Sequence, residues 1–449
     1  MAQLDRADIQ GNVLRGYRFP FATYTFLRID DAASARKWLA GVIEHVTNSE
    51  PWDEKPGAAL NLAFTHAGLC ALGLPQASLD TFPAEFQQGM AARSRLLGDV
   101  ADSDPARWEL GTTAGGGCHV LAILNAGTES HLAERREWLV TGLPHAGGLT
   151  VVATQNTARL PDSREHFGYA DGFSQPLVEG DGMPAAPGQG EPDGSGGWRP
   201  LKAGEFLLGH PDETGVVPPG PHPAGLARNG TYLVYRKLHQ NVAVFRRFLS
   251  ESSRGYPGGE EMLAAKLVGR WRDGTPIEMS PSAPAPELSA ETQRNNAFTY
   301  GDDLNGYRCP LGAHVRRANP RDALPFGDKM VHRHRLIRRG MTYGDPLPPG
   351  APDDGVERGV VFITLGASIV RQFEFVQTQW MNDGNIFVLG ADRDVLVGDN
   401  DGTGKMTVQG APPRFVANVP RMVTTRGGDY HFLPGIAALR FIAAGGRSD

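Results

Sequence analysis

Three glycine-punctuated segments carry ionisable side chains of three different kinds. The segments are HFGYADGFSQP (166–176), CPLGAHVRRANPR (309–321) and HRLIRRGMTYG (334–344). They offer the carboxylate of Asp171, the imidazole of His314 and the guanidinium of Arg338. Glycine lets the backbone approach a ligand closely, so these segments are candidates for a binding site. The three groups together suit metal ligation, proton transfer and stabilisation of developing negative charge.

Each segment taken alone also has a purely structural interpretation. The pair Asp171-Gly172 is a common turn former. A histidine such as His314, beside basic residues, is typically a partly exposed loop residue. Arg338 and its basic neighbours would then form a solvated helix face. The residues alone leave these alternatives open.

The composition narrows the class of protein. The chain has 449 residues, 40% of them hydrophobic, which is enough for a large core and suggests two units. A formal charge of −6 without a long basic run argues against a nucleic-acid or anionic-membrane partner. The longest apolar stretch, 359–370, is about half a membrane span. Three scattered cysteines and an N-terminus interrupted by charges favour a reducing, cytoplasmic location without a leader.

The first part of the chain, 1–177, alternates strand and helix patterns. Strands are predicted from β-branched and aromatic runs at 24–29, 58–64, 119–124 and 149–154. Helices are predicted over 35–46, 83–97 and 128–140. The sum is the split βαβ pattern of a ferredoxin-like unit, an antiparallel sheet with helices on one face.

The same order restarts later in the chain. Residues 178–227 are rich in glycine and proline and are predicted as a connecting loop. In the second unit, 228–449, the predicted elements are strands at 231–236, 360–365 and 429–433, and helices from 242 and over 369–381. An irregular insertion, 255–352, carries the His314 and Arg338 segments, as loops with function often do. The sequence therefore predicts an α+β fold of two ferredoxin-like units.

The three segments resemble those of the dye-decolourising peroxidase family, and the resemblance extends over nearly the whole chain. GYADG with FSQP is similar to the family's GxxDG signature, 309–321 to its proximal haem-histidine segment, and LIRRGMTYG to its distal-arginine segment. Further agreement comes from DIQGNVLRGY near the N-terminus, from GVVFITLGASIVRQFEFVQTQW in the second unit and from the late segment GGDYHFLPG, each similar to a family segment. Thr342 departs from the proline of many members. The resemblance implies a duplicated dimeric α+β barrel-like architecture.

The resemblance also implies a haem peroxidase with one haem b per chain. It would reduce hydrogen peroxide and oxidise phenolic, dye-like or other small aromatic donors. His314 would be the axial ligand, oriented by Asp394 or, as a fallback, by Asp392. Asp171 would act as acid and base, and Arg338 would stabilise negative charge.

By the same resemblance, Val360 and Phe362 would form apolar walls of the haem pocket, and Arg321 would meet the propionates. Because an aspartate of ordinary pKa, about 3.9, still accepts protons in mild acid, we expect an acidic optimum for dye oxidation. Bulky donors would deliver electrons through a narrow channel or from a surface aromatic. The candidate relays are Tyr343, Trp380 and Tyr430, with core packing favoured for Trp380.

Three other functions are compatible with the sequence. The first is a haem-binding or haem-remodelling protein that uses the His314 pocket without peroxidase turnover. The second is a non-haem interaction module, since a fold alone does not fix function. The third is a mononuclear metal site at His332 and His334, for which further ligands are not identifiable. An oligomer is compatible with each of these readings.

Overall fold

One sheet of nine described strands runs through the protein. The computed structural model describes residues 3–111, 117–146, 148–291, 294–325 and 328–447. The strands of the chain are β1 Phe21–Ile29, β2 Ala58–Phe64, β3 Val120–Ala126, β4 Leu149–Ala158, β5 Glu191–Pro192, β6 Trp198–Arg199, β7 Thr231–Gln240, β8 Ile337–Arg338, β9 Met341–Tyr343, β10 Gly359–Gly366, β11 Gly404–Val408, β12 Arg414–Val419 and β13 Val423–Leu433. The main sheet has the order β4-β1-β3-β2-β13-β7-β10-β8, with β9 also paired to β10.

The first four strands form an antiparallel ferredoxin-like half. Their order β4-β1-β3-β2 is what a βαββαβ chain gives when both helices cover one face. The helix after β1 begins at Asp31, whose carboxylate accepts the Ser34 N–H at 2.8 Å as an N-cap. Its apolar stripe, which includes Trp38 and Leu39, is buried as the sequence predicts.

The second half repeats this order. Here β13, β7 and β10 take the places of strands four, one and three, and β8 and β9 share the place of the second strand. The halves join where Phe432 of β13 pairs with Phe64 of β2. The predicted class, an α+β fold of two ferredoxin-like units, is confirmed.

The helices are mostly short and connect the strands. They are α1 Gly11–Leu14, α2 Ala32–Val42, α3 His66–Ala71, α4 Gln76–Leu79, α5 Ala84–Gln88, α6 Ser94–Leu97, α7 Glu129–Ala146, α8 Ala224–Ala227, α9 Val242–Ser252, α10 Gly259–Val268, α11 Pro286–Ala290, α12 His314–Ala318, α13 Asp328–His332 and α14 Ile436–Ala443. Two π-helical segments, Val370–Glu374 and Val376–Met381, follow β10. None of the helices in the described ranges is long and apolar enough to cross a membrane.

Several predicted elements differ in detail from the observed ones. The helix predicted over 83–97 is divided, because Gly89 follows α5 with a φ of 73°, which ends the helix. The Gly/Pro-rich stretch 178–227 contains β5, β6 and α8. The strand predicted at 429–433 begins earlier, at Val423, and continues through a bulge between Thr425 and Gly427.

Side-chain alternation on β7 and β10 gives the second half of the sheet two different faces. Val361 and Ile363 of β10 are buried in a core cluster on one face. Val360 and Phe362 point to the other face, beside Leu238 and Arg236 of β7. That second face forms one wall of a cavity.

Candidate active site

The cavity has a volume of about 390 Å³, within the usual range of roughly 300–1,000 Å³ for small-molecule sites. Six of the residues predicted for the site line it, namely Asp171, His314, Arg321, Arg338, Val360 and Phe362. They come from both halves of the chain and from the long insertion. The structure therefore brings these predicted residues to one place.

His314 is the first residue of α12 and is anchored by a buried carboxylate. Its Nδ1 lies 3.0 Å from Oδ2 and 3.1 Å from Oδ1 of Asp394, which is fully buried. The backbone N–H groups of Leu396 and Val397 donate to Asp394 Oδ1 at 3.0 and 2.8 Å and fix the carboxylate. This contact leaves the Nε2 side of the imidazole to face the cavity.

His314 and Asp394 shift each other's pKa in opposite directions. Burial lowers the pKa of His314, but the Asp394 carboxylate outweighs that effect, so the pKa of His314 is raised. Burial raises the pKa of Asp394, and the neighbouring His314 outweighs it in turn, so the pKa of Asp394 is lowered. The fallback partner Asp392 lies elsewhere: it is paired with Lys405 and accepts the Thr407 N–H at 2.8 Å.

Asp171 and Arg338 form an ion pair inside the cavity, with 3.4 Å between Oδ1 and Nη1. Their side chains are 61% and 43% accessible because they face the cavity. Burial by the surrounding protein raises the pKa of Asp171, while Arg338 and the Gly172 N–H lower it. The net result is a pKa below the ordinary value.

The loop that carries Asp171 is held by three charged side chains that the sequence analysis missed. The Glu165 carboxylate accepts the backbone N–H groups of Phe167 and Tyr169, each at 2.8 Å. Arg272 donates to the Phe167 carbonyl and Arg164 to the Gly168 carbonyl, each at 2.6 Å. A positioned acid needs such support. The available signal in the sequence was Glu165, a carboxylate three residues before Gly168, where the glycine-containing motif begins.

Arg338 lies on strand β8, so the alternative reading of a solvated basic helix face is wrong. Its backbone N–H donates to Gln175 Oε1 at 2.7 Å, which ties it to the Asp171 loop. Arg339 points away and donates to the Asn12 carbonyl at 2.6 Å. Arg335 is buried and also lines the cavity.

Three further arginines give the cavity a positive wall. Arg321 donates to the Asn296 carbonyl at 3.0 Å and stacks 3.9 Å from the Phe298 ring centroid. Burial, and then the charge of Arg321, lower the pKa of Arg270 to about 10 and that of Arg335 to about 9. Guanidinium groups held in this way suit a ligand that carries carboxylates.

The walls and charges fit the haem that the resemblance implies. An imidazole with Nδ1 anchored offers Nε2 to a metal. Val360, Phe362, Phe373 and Leu396 provide apolar surface for a large flat ring. The positive wall meets the requirement of the propionates for cationic partners.

The remaining aromatic and histidine candidates lie in buried surroundings. Tyr343, Trp380 and Tyr430 are 4%, 1% and 1% exposed, so none is a surface aromatic. Trp380 lies in a core cluster, as its helical stripe indicates. Among the described residues, His332 and His334 belong to no group of three or more side chains that could hold a metal ion.

Comparisons with known proteins identify the family of this chain. A family model, the DyP dimeric alpha+beta barrel domain, matches residues 8–154. Dye-decolorizing peroxidase msp1 of Mycetinis scorodonius is 31% identical over 98% of this chain and 88% of its own length. A dye-decolorizing peroxidase of Mycena epipterygia is 30% identical over 98% and 87%. A solved structure of an ancestral D-type dye decolorizing peroxidase covers 98% of this chain and 99% of its own at 31% identity, with a TM-score of 0.81. The chain therefore belongs to the dye-decolourising peroxidase family and is a peroxidase.

Proposed function

We propose that this chain binds one haem b in the cavity, reduces hydrogen peroxide there and oxidises small phenolic or dye-like donors. The observation that carries the proposal is the placement of two pairs, His314 with Asp394 and Asp171 with Arg338, around one cavity. Family membership supports the peroxidase class. When bound, the haem supplies the redox centre that accepts oxidising equivalents from peroxide.

His314 would hold the haem iron through Nε2, and the hydrogen bond between Nδ1 and Asp394 would make Nε2 more basic and so a stronger metal ligand. Because Nδ1 is engaged by a fixed carboxylate, the imidazole keeps one tautomer and one orientation. Asp394 is itself fixed by two backbone N–H groups and cannot follow the ring, so the imidazole cannot turn away from the cavity without losing its contact with Asp394.

Asp171 moves the proton of hydrogen peroxide. Its carboxylate accepts the proton from one peroxide oxygen and delivers it to the other, which leaves as water. Arg338 is fixed beside it and stabilises the negative charge that develops as the O–O bond breaks. A pKa of Asp171 below the ordinary range keeps the carboxylate ready to accept a proton in acid solution.

The experiment that tests the proposal is dye oxidation by the purified, haem-loaded protein. We expect a Soret band in the absorption spectrum and multiple turnovers of a phenolic dye that require hydrogen peroxide. A haem carrier or remodelling protein would show the band without multiple turnover. An interaction module would show no band, even after haem is added. Either result would end the peroxidase assignment for this cavity.

Replacing Asp394 by asparagine is expected to lower the rate of peroxide reduction about 10–100-fold, the usual cost of losing a partner behind a metal ligand. The amide keeps the shape but no longer places a negative charge 3.0 Å from His314 Nδ1. Stopped-flow measurement of the reaction with peroxide checks this. Asp392→Asn is the matched control, because Asp392 bonds Lys405 and Thr407 instead. Equal losses in both variants would refute the role of Asp394.

The pH dependence of peroxide reduction should extend well into acid. The base form of Asp171 is lost only when the pH falls through its lowered pKa, so the acid limb of kcat/KM for peroxide should lie at lower pH than an ordinary aspartate would give. Arg338→Leu removes a charge that holds this pKa down and should move the limb to higher pH. Steady-state rates measured from acid to neutral pH locate the acid limb in the wild type and in Arg338→Leu. An optimum above neutrality, or a limb that does not move, would contradict this assignment.

A further inference from the structure

A buried chain of polar groups connects Tyr430 with the protein surface. The Tyr430 hydroxyl donates to Glu374 Oε1 at 2.8 Å, and both residues are 2% exposed or less. Arg93 holds the same carboxylate through Nε and through Nη2, which lies 2.6 Å from Oε2. The Arg93 side chain is 19% exposed. A phenol, a carboxylate and a guanidinium therefore lie in sequence from the core outward.

The π-helical segment Val370–Glu374 connects this chain with the cavity. Phe373 lines the cavity, and the next residue, Glu374, holds the Tyr430 hydroxyl. The Phe373 and Tyr430 rings pack at 70° with centroids 6.2 Å apart. One aromatic ring thus stands between the cavity and a phenol that already has a proton acceptor. Segments of π-helix are rare and are often found at functional sites.

We propose that Tyr430 is a redox-active residue that stores an oxidising equivalent from the cavity when no donor is bound, with Glu374 as its proton acceptor. The proposal rests on the proposed function, since peroxide reduction in the cavity supplies the oxidant. Tyr430 loses one electron to that oxidant across Phe373. Its phenolic proton passes to Glu374 Oε1, which leaves a neutral phenoxyl radical and a neutral carboxylic acid. A reducing donor later returns the electron, and Glu374 returns the proton.

The positions of the charges favour this exchange. Before oxidation the phenol stays protonated, because burial and then the Glu374 charge raise the pKa of Tyr430 well above its ordinary value. After oxidation the proton has only the 2.8 Å hydrogen bond to cross, so no buried charge is left on the tyrosine. The simpler alternative is that the cluster only ties the helix to β13.

Tyr235 provides a control that distinguishes a redox role of Tyr430 from a purely structural role of its cluster. It is as buried as Tyr430, at 1% exposure, and also lies on the central sheet. Its hydroxyl has no hydrogen-bond partner among the described residues, so it lacks a proton acceptor. Tyr235→Phe is therefore the matched control for Tyr430→Phe, since each variant removes one buried hydroxyl.

The test is freeze-quench electron paramagnetic resonance of the haem-loaded protein mixed with hydrogen peroxide and no donor. We expect a tyrosyl signal, identified by ring-deuterated tyrosine, in the wild type and in Tyr235→Phe. The signal should be lost in Tyr430→Phe and weakened in Glu374→Gln, with folding checked by circular dichroism. Tyr430→Phe should also lose its Soret band faster under repeated peroxide.

Two results would overturn the inference while leaving the proposed function intact. One is a wild type that turns over dye but gives no tyrosyl signal, and the other is a signal that persists in Tyr430→Phe. A wild type that turns over no dye would instead contradict the proposed function. The redox role of Tyr430 would then also be refuted, because its oxidant comes from peroxide reduction in the cavity.

Discussion

Replacing Asp171 by asparagine is expected to lower kcat/KM for hydrogen peroxide about 10²–10⁴-fold, the usual contribution of a positioned acid and base. The amide has nearly the same shape and can still accept a hydrogen bond from Arg338, 3.4 Å away. It cannot take a proton from peroxide. The Soret band should therefore survive while the rate of peroxide reduction falls, and stopped-flow spectroscopy measures both quantities on one sample.

Asp399 provides the control for this variant. It lines the same cavity, but its Oδ1 is paired with Arg421 Nη2 at 2.7 Å. Asp399→Asn should lower kcat/KM for hydrogen peroxide far less than Asp171→Asn does, because the Asp399 carboxylate is engaged in a structural ion pair. If both variants lost activity equally, the loss would reflect the charge of the cavity, and Asp171 would not be the proton carrier.

Replacing His314 by alanine is expected to abolish both the Soret band of the native ligation state and peroxide-dependent dye oxidation. The reason is that the structure offers this imidazole to the cavity with Nδ1 already bound to Asp394. Removal of the ring also leaves the fully buried Asp394 carboxylate without its partner, which destabilises the site further. Absorption spectra with and without added haem, together with dye assays, measure these losses.

His332→Gln is the informative comparison for His314→Ala. His332 is 4% exposed, and neither ring nitrogen has a hydrogen-bond partner among the described residues. Burial, followed by the charges of Arg335 and Arg199, lowers its pKa to about 3, so the ring is neutral like a ligand imidazole. If His332→Gln lost the Soret band and His314→Ala retained it, the assignment of the axial ligand would be wrong.

Regular periodicity made much of the fold predictable. The stripe at Trp38 and Leu39 and the alternation around Val360 and Phe362 each reflect one face of an element against the sheet. The division of the helix at Gly89 was not visible in that pattern. There the apolar spacing continues, and a positive φ at one glycine ends the helix. Backbone conformation at single residues is decided by packing that local sequence does not encode.

The site was predictable mainly through the family resemblance. His314 and Asp394 lie eighty residues apart, and no periodicity relates them. Arg335 and Arg338 looked like a solvated surface, because their burial depends on the Asp171 loop and on β10. Charged residues in irregular segments take their environment from tertiary contacts, so sequence alone could not separate a cavity wall from an exposed face.

The position of β13 between the two halves has a consequence for biosynthesis. β13 is the latest of the described strands in the chain, yet it pairs with β7 on one side and contacts β2 on the other. Until it leaves the ribosome, β2 and β7 both present unpaired edges, which are templates for aggregation. Nascent chains that stall before residue 423 should therefore depend on chaperones. Truncation at this point should lower the solubility of the protein before any loss of catalytic activity can be measured.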